Sequence, residues 1–278
     1  MPPDGPRSLG VERLRPAVAA LGILVLLAQP AEGLRVAVFA PKDVEPTCLR
    51  AIEEVLRGAG IDFDEVRGGD IAGGSLLGRY DALILPGGAY ADRVTGNPGF
   101  VSALREFVRS GGKVIGICAG AITVVRAGLV RARIERVGLG VGRVTLRLER
   151  DRLTEGLPDR LEVTYINGPV MRSEGAKVVA RYAGGIVRSG DAILVDRYGK
   201  GEAIAIGPHP CHDENGNLNR EGAKLLLNAL GVKAGEVKTG ARSGGTKGGS
   251  WWPTPVLPVA VALGLVVALT VRGRARSG

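Results

Sequence analysis

A short apolar strand that runs straight into a cysteine constrains this chain more than any other feature: Lys113-Val-Ile-Gly-Ile-Cys118-Ala-Gly-Ala-Ile122. Ser110-Gly111-Gly112 mark a turn before it, so the run reads as a buried strand, and Ala119 to Leu129 reads as a helix. A cysteine at that junction sits on a sharp turn, its sulfur exposed over a helix N-terminus. The helix dipole and the free N–H groups there favour the thiolate, the nucleophilic form. Gly116 and Gly120 flank it because such an elbow leaves no room for side chains. A free cysteine is otherwise most often a small buried residue, so the elbow needs a partner to carry chemistry.

Gly201-Glu-Ala-Ile-Ala-Ile-Gly207-Pro-His209-Pro-Cys211-His212 supplies one. It is another strand ending in a turn, and it carries both histidines of the chain. A cysteine nucleophile needs a base brought within hydrogen-bond reach from elsewhere in the sequence. The rest of the core follows an alternating rhythm. Leu34 to Ala40, Ile61 to Val66 and Asp81 to Leu85 read as strands; Pro46 to Arg57 and Pro98 to Arg109, capped by Asn97, read as helices. This predicts an α/β fold, a doubly wound, mostly parallel sheet with helices on both faces. Ligands in such sheets bind beyond the carboxyl ends of the strands, and Gly88, Cys118 and His209 all follow strand ends. From Arg133 to Val195 the alternation shortens into a β-rich, partly antiparallel elaboration inserted before the His-bearing strand, and Leu218 to Leu230 closes the domain as a helix. The cysteines and histidines lack a CxxC pair, so neither a metal nor another cofactor is expected.

The two ends read as targeting segments. Arg7, Arg13 and Arg15 precede an apolar stretch from Ala17 to Ala28 and a small-residue site at Ala31-Glu32-Gly33, the order of a signal peptide over residues 1–33. A domain over 34–233 and a Gly-rich linker over 234–250 come next. Residues 251–271 then run 21 residues without a charge, opened by Trp251 and Trp252 and stopped by Arg272, Arg274 and Arg276. That pattern predicts a transmembrane helix with residues 272–278 as a basic cytoplasmic tail and the domain outside the cell membrane. The net charge of +9 is +5 in residues 236–278, zero in 1–33 and +4 in the domain, where few aromatics accompany it. Nucleic acid is therefore not an expected partner. Three cysteines leave at least one unpaired or paired between chains. Twenty-nine arginines against eight lysines, with a single glutamine, point weakly to a thermophile.

Four segments, Leu85-Pro-Gly-Gly88, Gly116-Ile-Cys-Ala-Gly120, Tyr165-Ile-Asn-Gly-Pro169 and Gly207-Pro-His-Pro210, resemble the class I glutamine amidotransferase-like superfamily, in particular the domain named after the N-terminal part of biotin–protein ligases. The resemblance covers residues 34 to about 231 in order and spacing. It implies a flavodoxin-like sheet, Cys118 as nucleophile, His209 as general base, and backbone N–H groups of Gly88 and Ala119 as an oxyanion hole. Such a site performs acyl transfer on an amide, the thiolate attacking the carbonyl to give a thioester that water hydrolyses. Tyr165, Asn167 and Gly168 are candidates to line the substrate pocket. The superfamily's His-x-Glu is absent: Cys211 occupies the acid's place, which leaves Asp213 or Glu214 to orient His209, a dyad, or a Cys118–Cys211 disulfide. No biotin-ligase catalytic domain is present, so biotinylation is not expected. The expected partner is a small-molecule or peptide amide substrate, and the oligomeric state stays open, a homo-oligomer included. The reading is a membrane-anchored cysteine amidohydrolase, with a non-catalytic binding module or a thiol/disulfide redox protein as alternatives.

Overall fold

Along β1 (Val36–Phe39), Val36 and Val38 face one layer of the core while Ala37 and Phe39 face the other. A strand buried on both faces reads as a continuous apolar run because helices cover each side. The computed structural model describes residues 33–232, all within the first of two units of the chain, Met1–Thr239. The expected signal peptide, linker and transmembrane segment lie outside the described residues. Among the described residues no helix is long and apolar enough to cross a membrane.

One eleven-stranded sheet organises the domain. Its parallel half runs β2 (Phe63–Val66), β1, β3 (Ala82–Leu85), β4 (Lys113–Ile117) and β11 (Gly201–Ile206). The antiparallel half continues from β11 through β10 (Asp191–Tyr198), β9 (Lys177–Gly185), β6 (Val141–Leu148) and β7 (Arg160–Ile166). β5 (Ala132–Arg136) and β8 (Val170–Ser173) pair with each other, and β8 joins β10. The doubly wound parallel core and the antiparallel insertion before β11 both match the sequence reading. The short strands β5 and β8, and the five-residue helices α2 (Gly68–Ala72) and α3 (Ala91–Thr95), escaped it because each is too short to show a period.

Helices α1 (Pro46–Gly58) and α6 (Arg220–Leu230) pack on one face with Ile84, Ile115 and Ile204; α4 (Pro98–Arg109) and α5 (Ala119–Arg126) pack on the other with Leu83, Leu85 and Val114. Each entry point is fixed by a cap. Asn97 accepts from the Phe100 N–H at 3.2 Å with Pro98 in the first turn, and Asn219 accepts from the Gly222 N–H at 2.9 Å. α1 is capped instead by the Glu45 carboxylate, which accepts from the Thr47 and Cys48 N–H groups at 3.1 and 2.5 Å. That choice of cap places a carboxylate at the carboxyl end of β1, on the edge where the site forms.

Candidate active site

Cys118 follows β4 directly and holds a backbone conformation of φ 54°, ψ −105° as the cap residue of α5. Non-glycine residues rarely adopt a positive φ, at a cost of order 1–3 kcal/mol. The turn is held by close approach on both sides. A Cβ on Gly116 would lie under 3.0 Å from the Gly120 backbone, and one on Gly120 under 3.0 Å from the Leu85 carbonyl oxygen. The sequence expectation for these two glycines is met. The Cys118 N–H donates to the Ile206 carbonyl at 2.8 Å, locking the elbow to β11.

The amides of Ala119 and Gly88 act to lower the Cys118 pKa. Gly88 is held in place because its neighbours are tied to the β1–α1 loop: Glu45 donates to the Gly87 carbonyl at 2.8 Å and Ala89 to the Asp43 carbonyl at 2.9 Å. At φ 157°, with the Asp43 and Val44 backbone against its α-carbon, Gly88 has no space for a side chain. The two predicted oxyanion donors are thus placed together.

Burial overrides these amides. Cys118 is 6% exposed, and desolvation pushes its thiol up to about 12. The expected resting thiolate is therefore corrected to a neutral thiol, because the sulfur lies under the antiparallel extension instead of facing solvent. β7 supplies that cover: the Cys118 thiol points at the Ile166 carbonyl, 3.5 Å away.

His209 reaches the same place from β11. Its N–H donates to the Thr164 carbonyl at 2.8 Å in an isolated bridge to β7. Its ring, 1% exposed, lies against Gly87, where a Cβ would fall under 3.0 Å from Cε1. Burial first, and His212 second, lower its pKa to about 3, with the Ile166 carbonyl opposing the shift. Burial raises the thiol and lowers the imidazole, so the resting pair is neutral. Cys118 and His209 share Gly87-Gly88 and Ile166 as neighbours without being hydrogen-bonded to each other.

The remaining candidates separate. Asp213 does not orient His209: its carboxylate accepts from Asn215 and Asn217 N–H groups, each at 2.8 Å, and from Asn217 Nδ2 at 3.0 Å, closing an exposed turn. Glu214 forks onto Arg143 at the surface. Tyr165 is fully buried, its hydroxyl donating to the Gly168 carbonyl at 2.6 Å and its ring edge-on to Tyr182, so it shapes the core. Asn167, at φ 49°, accepts from the Gly140 N–H at 3.0 Å in an exposed turn. Gly168 is needed because a Cβ there would meet the Gly207 carbonyl. Tyr165 closes the turn after β7 on itself, Asn167 ties it to Gly140, and Gly168 lets it approach Gly207 after β11. All three cysteines are free; the Cys211 thiol points to the Gly222 carbonyl at 4.0 Å, towards α6.

Sequence reasoning missed Glu45, whose carboxylate Oε2 lies 4.0 Å from His212 Nε2. The signal was present: an acid before a proline at a helix start, immediately after the first strand, on the edge where a doubly wound sheet binds ligands. Among the described residues, Glu45, His209 and His212 bring one ligand atom each to within 4.8 Å of one another.

A model of the DJ-1/PfpI family matches residues 34–135. A glutamine amidotransferase from Thermotoga maritima superposes with a TM-score of 0.54 at 19% identity, over 74% of this chain and 99% of that one. The domain has the class I glutamine amidotransferase-like fold. Protein/nucleic acid deglycase 2 of Escherichia coli (strain K12) is 43% identical over 54 residues, 19% of this chain and 31% of that protein. The pyridoxal 5'-phosphate synthase subunit PdxT of Geobacillus sp. (strain WCH70) is 31% identical over 124 residues, 40% of this chain and 64% of that one. The chain thus spans less than two thirds of either relative. None of these matches supports the narrower resemblance to the N-terminal domain of biotin–protein ligases.

Proposed function

We propose that this protein is a cysteine-dependent hydrolase of a C–N bond, with Cys118 as nucleophile, His209 as base, and the amides of Gly88 and Ala119 as oxyanion hole. The observation that carries this reading is a cysteine held at a strained elbow where the Ala119 and Gly88 amides favour its thiolate. A sulfur that only filled the core would need neither. The neutral resting pair sets the order of events. A carbonyl carbon arrives at the sulfur, the thiol proton passes to the His209 imidazole, and the S–C bond forms as the carbonyl oxygen takes up charge between the two amides. Collapse expels the amine with the proton held by His209, and water then cleaves the thioester. Among the described residues no carboxylate is hydrogen-bonded to His209, which makes this a dyad.

The comparisons name two substrate types, and they set the first assays: a glutamine-type amide, and a glycated protein or nucleic acid. Cys118→Ala should abolish release of amine from whichever is turned over, with the fold intact by circular dichroism; full residual turnover sinks the reading. Anchoring through residues 251–271, with the domain outside the membrane, completes the proposal and is tested by protease accessibility in intact cells.

A non-catalytic binding module is the second reading, favoured by the near-complete burial of Cys118. There Cys118→Ala would leave ligand affinity unchanged and no turnover would be found in the parent protein. The redox alternative loses support, since the Cys118 and Cys211 thiols point at different carbonyls.

A further inference from the structure

We infer that Glu45, His209 and His212 form a binding site for one divalent transition-metal ion of the zinc type, beside the Cys118 elbow. The two imidazoles face each other with ring centroids 5.4 Å apart at 64°. Both rings are buried, 1% and 2% exposed. Both nitrogens of His209, and Nε2 of His212, have no hydrogen-bond partner. Buried polar atoms are almost always paired, and one unpaired nitrogen from each of two adjoining rings calls for a shared partner.

The hydrogen-bond geometry says what that partner is. His212 Nδ1 lies 2.8 Å from the Asp213 carbonyl oxygen. A carbonyl only accepts, so Nδ1 carries the proton and Nε2 presents its lone pair to the site. Fixing the tautomer of a ligating histidine through a backbone carbonyl is the usual outer-shell arrangement at metal centres. Facing that lone pair is Glu45 Oε2, another acceptor, at 4.0 Å. The Glu45 carboxylate is itself oriented by the Thr47 and Cys48 N–H groups. One ligand atom from each of the three side chains lies within 4.8 Å of the others, so a cation placed among them would be shared by all three.

Two imidazole nitrogens and one carboxylate oxygen form a borderline donor set that suits zinc and leaves a position open, whereas calcium and magnesium prefer all-oxygen sites. Bonds of about 2.0–2.2 Å would bring the ligand atoms to roughly 3–3.5 Å from one another. The atoms now lie within 4.8 Å of one another, so binding must draw them closer together. The histidines come from one loop and the glutamate from another, so the ion also ties the β1–α1 and β11–α6 connections together.

One consequence rests on the hydrolase reading. An ion on His209 takes the lone pair that the base needs, so metal binding and turnover exclude each other, and zinc acts as a reversible inhibitor.

The test uses the full chain, stripped with chelator, titrated with Zn²⁺ by calorimetry and with Co²⁺ by visible absorption. One ion per chain is expected, with a Co²⁺ spectrum free of thiolate charge-transfer bands. His212→Ala and Glu45→Gln should each weaken binding at least tenfold, whereas Cys118→Ala and Cys211→Ala should not. Melting curves of the metal-free variants show which are folded. If Glu45→Gln loses its α1 cap and unfolds, His212→Ala and His212→Gln decide. Unchanged affinity in the folded His212 variants, binding that follows the cysteines, or no saturable uptake overturns the inference. Metal binding without any turnover leaves the inference standing and the hydrolase reading in doubt; turnover indifferent to Zn²⁺, with no binding, removes the inference alone.

Discussion

Substituting alanine at Gly87 tests the placement of His209 without touching either reacting group. Gly87 has an ordinary negative φ, so the backbone itself accepts alanine. What obstructs the new methyl is one side chain: three atoms of the His209 ring, Cε1 under 3.0 Å away, Nε2 at 3.1 Å and Nδ1 at 3.2 Å. The ring is buried and its backbone is bridged to Thr164, so it has little freedom to retreat. Overpacking of this kind costs about 1–3 kcal/mol. For a domain of this size that corresponds to a fall in melting temperature of about 2–12 °C. The decisive assay is a double-mutant cycle in urea at neutral pH, under chelator. In a His209→Ala background the three nearest obstructing atoms are gone, and Gly87→Ala should become neutral or stabilise by about 0.4–1 kcal/mol through the unfolded chain. The coupling energy should therefore be about 1–4 kcal/mol. An equal cost of Gly87→Ala in both backgrounds would refute the packing of His209 against the Pro-Gly-Gly turn, and with it the geometry on which both the base and the metal ligand depend.

The buried thiol gives a pH signature. Because Cys118 is raised from 9.0 to about 12 by burial, its contribution is in place below pH 9 and is lost as the pH rises towards 12. Cys118→Ala should remove up to about 1.4 kcal/mol per pH unit of that alkaline loss, and alkylation of Cys118 in the resting protein should be slow at neutral pH; rapid selective labelling would contradict the neutral-thiol assignment. Gly120→Ala drives a methyl into the Leu85 carbonyl, a backbone atom that cannot swing aside, and should cost about 3 kcal/mol or more; a variant with parental melting behaviour would show that the elbow is not close-packed. Glu214→Gln breaks only an exposed pair with Arg143, so stability should change by less than about 1 kcal/mol and turnover not at all. Tyr165→Phe orphans the buried Gly168 carbonyl at a cost of about 1–3 kcal/mol while leaving KM unchanged; a raised KM would restore Tyr165 to the pocket.

The parallel core was legible in the chain because its signals are local. A strand buried on both faces must be apolar throughout, an elbow must be glycine-flanked, and a helix start needs a cap, so β1, β3, β4, β11, α1, α4 and α6 all announce themselves within a few residues. The convergence of Gly88, Cys118 and Ala119 followed from topology, since parallel strands deliver their carboxyl ends to one edge. Reading the antiparallel segment as an insertion also succeeded, but where it packs is a long-range matter. Only the tertiary structure lays the end of β7 over the site, putting the Ile166 carbonyl on the sulfur and turning an exposed thiolate into a buried neutral thiol. The sign of that shift depends on desolvation, which is a property of the whole surrounding shell and of no residue's own identity. The same limit misdirected the search for an acid: Asp213 and Glu214 are near His209 in sequence but spend their carboxylates on a turn and on Arg143, while Glu45, more than 160 residues away from His209 in the chain, stands closest to His212 because the fold brings the end of β1 beside the end of β11.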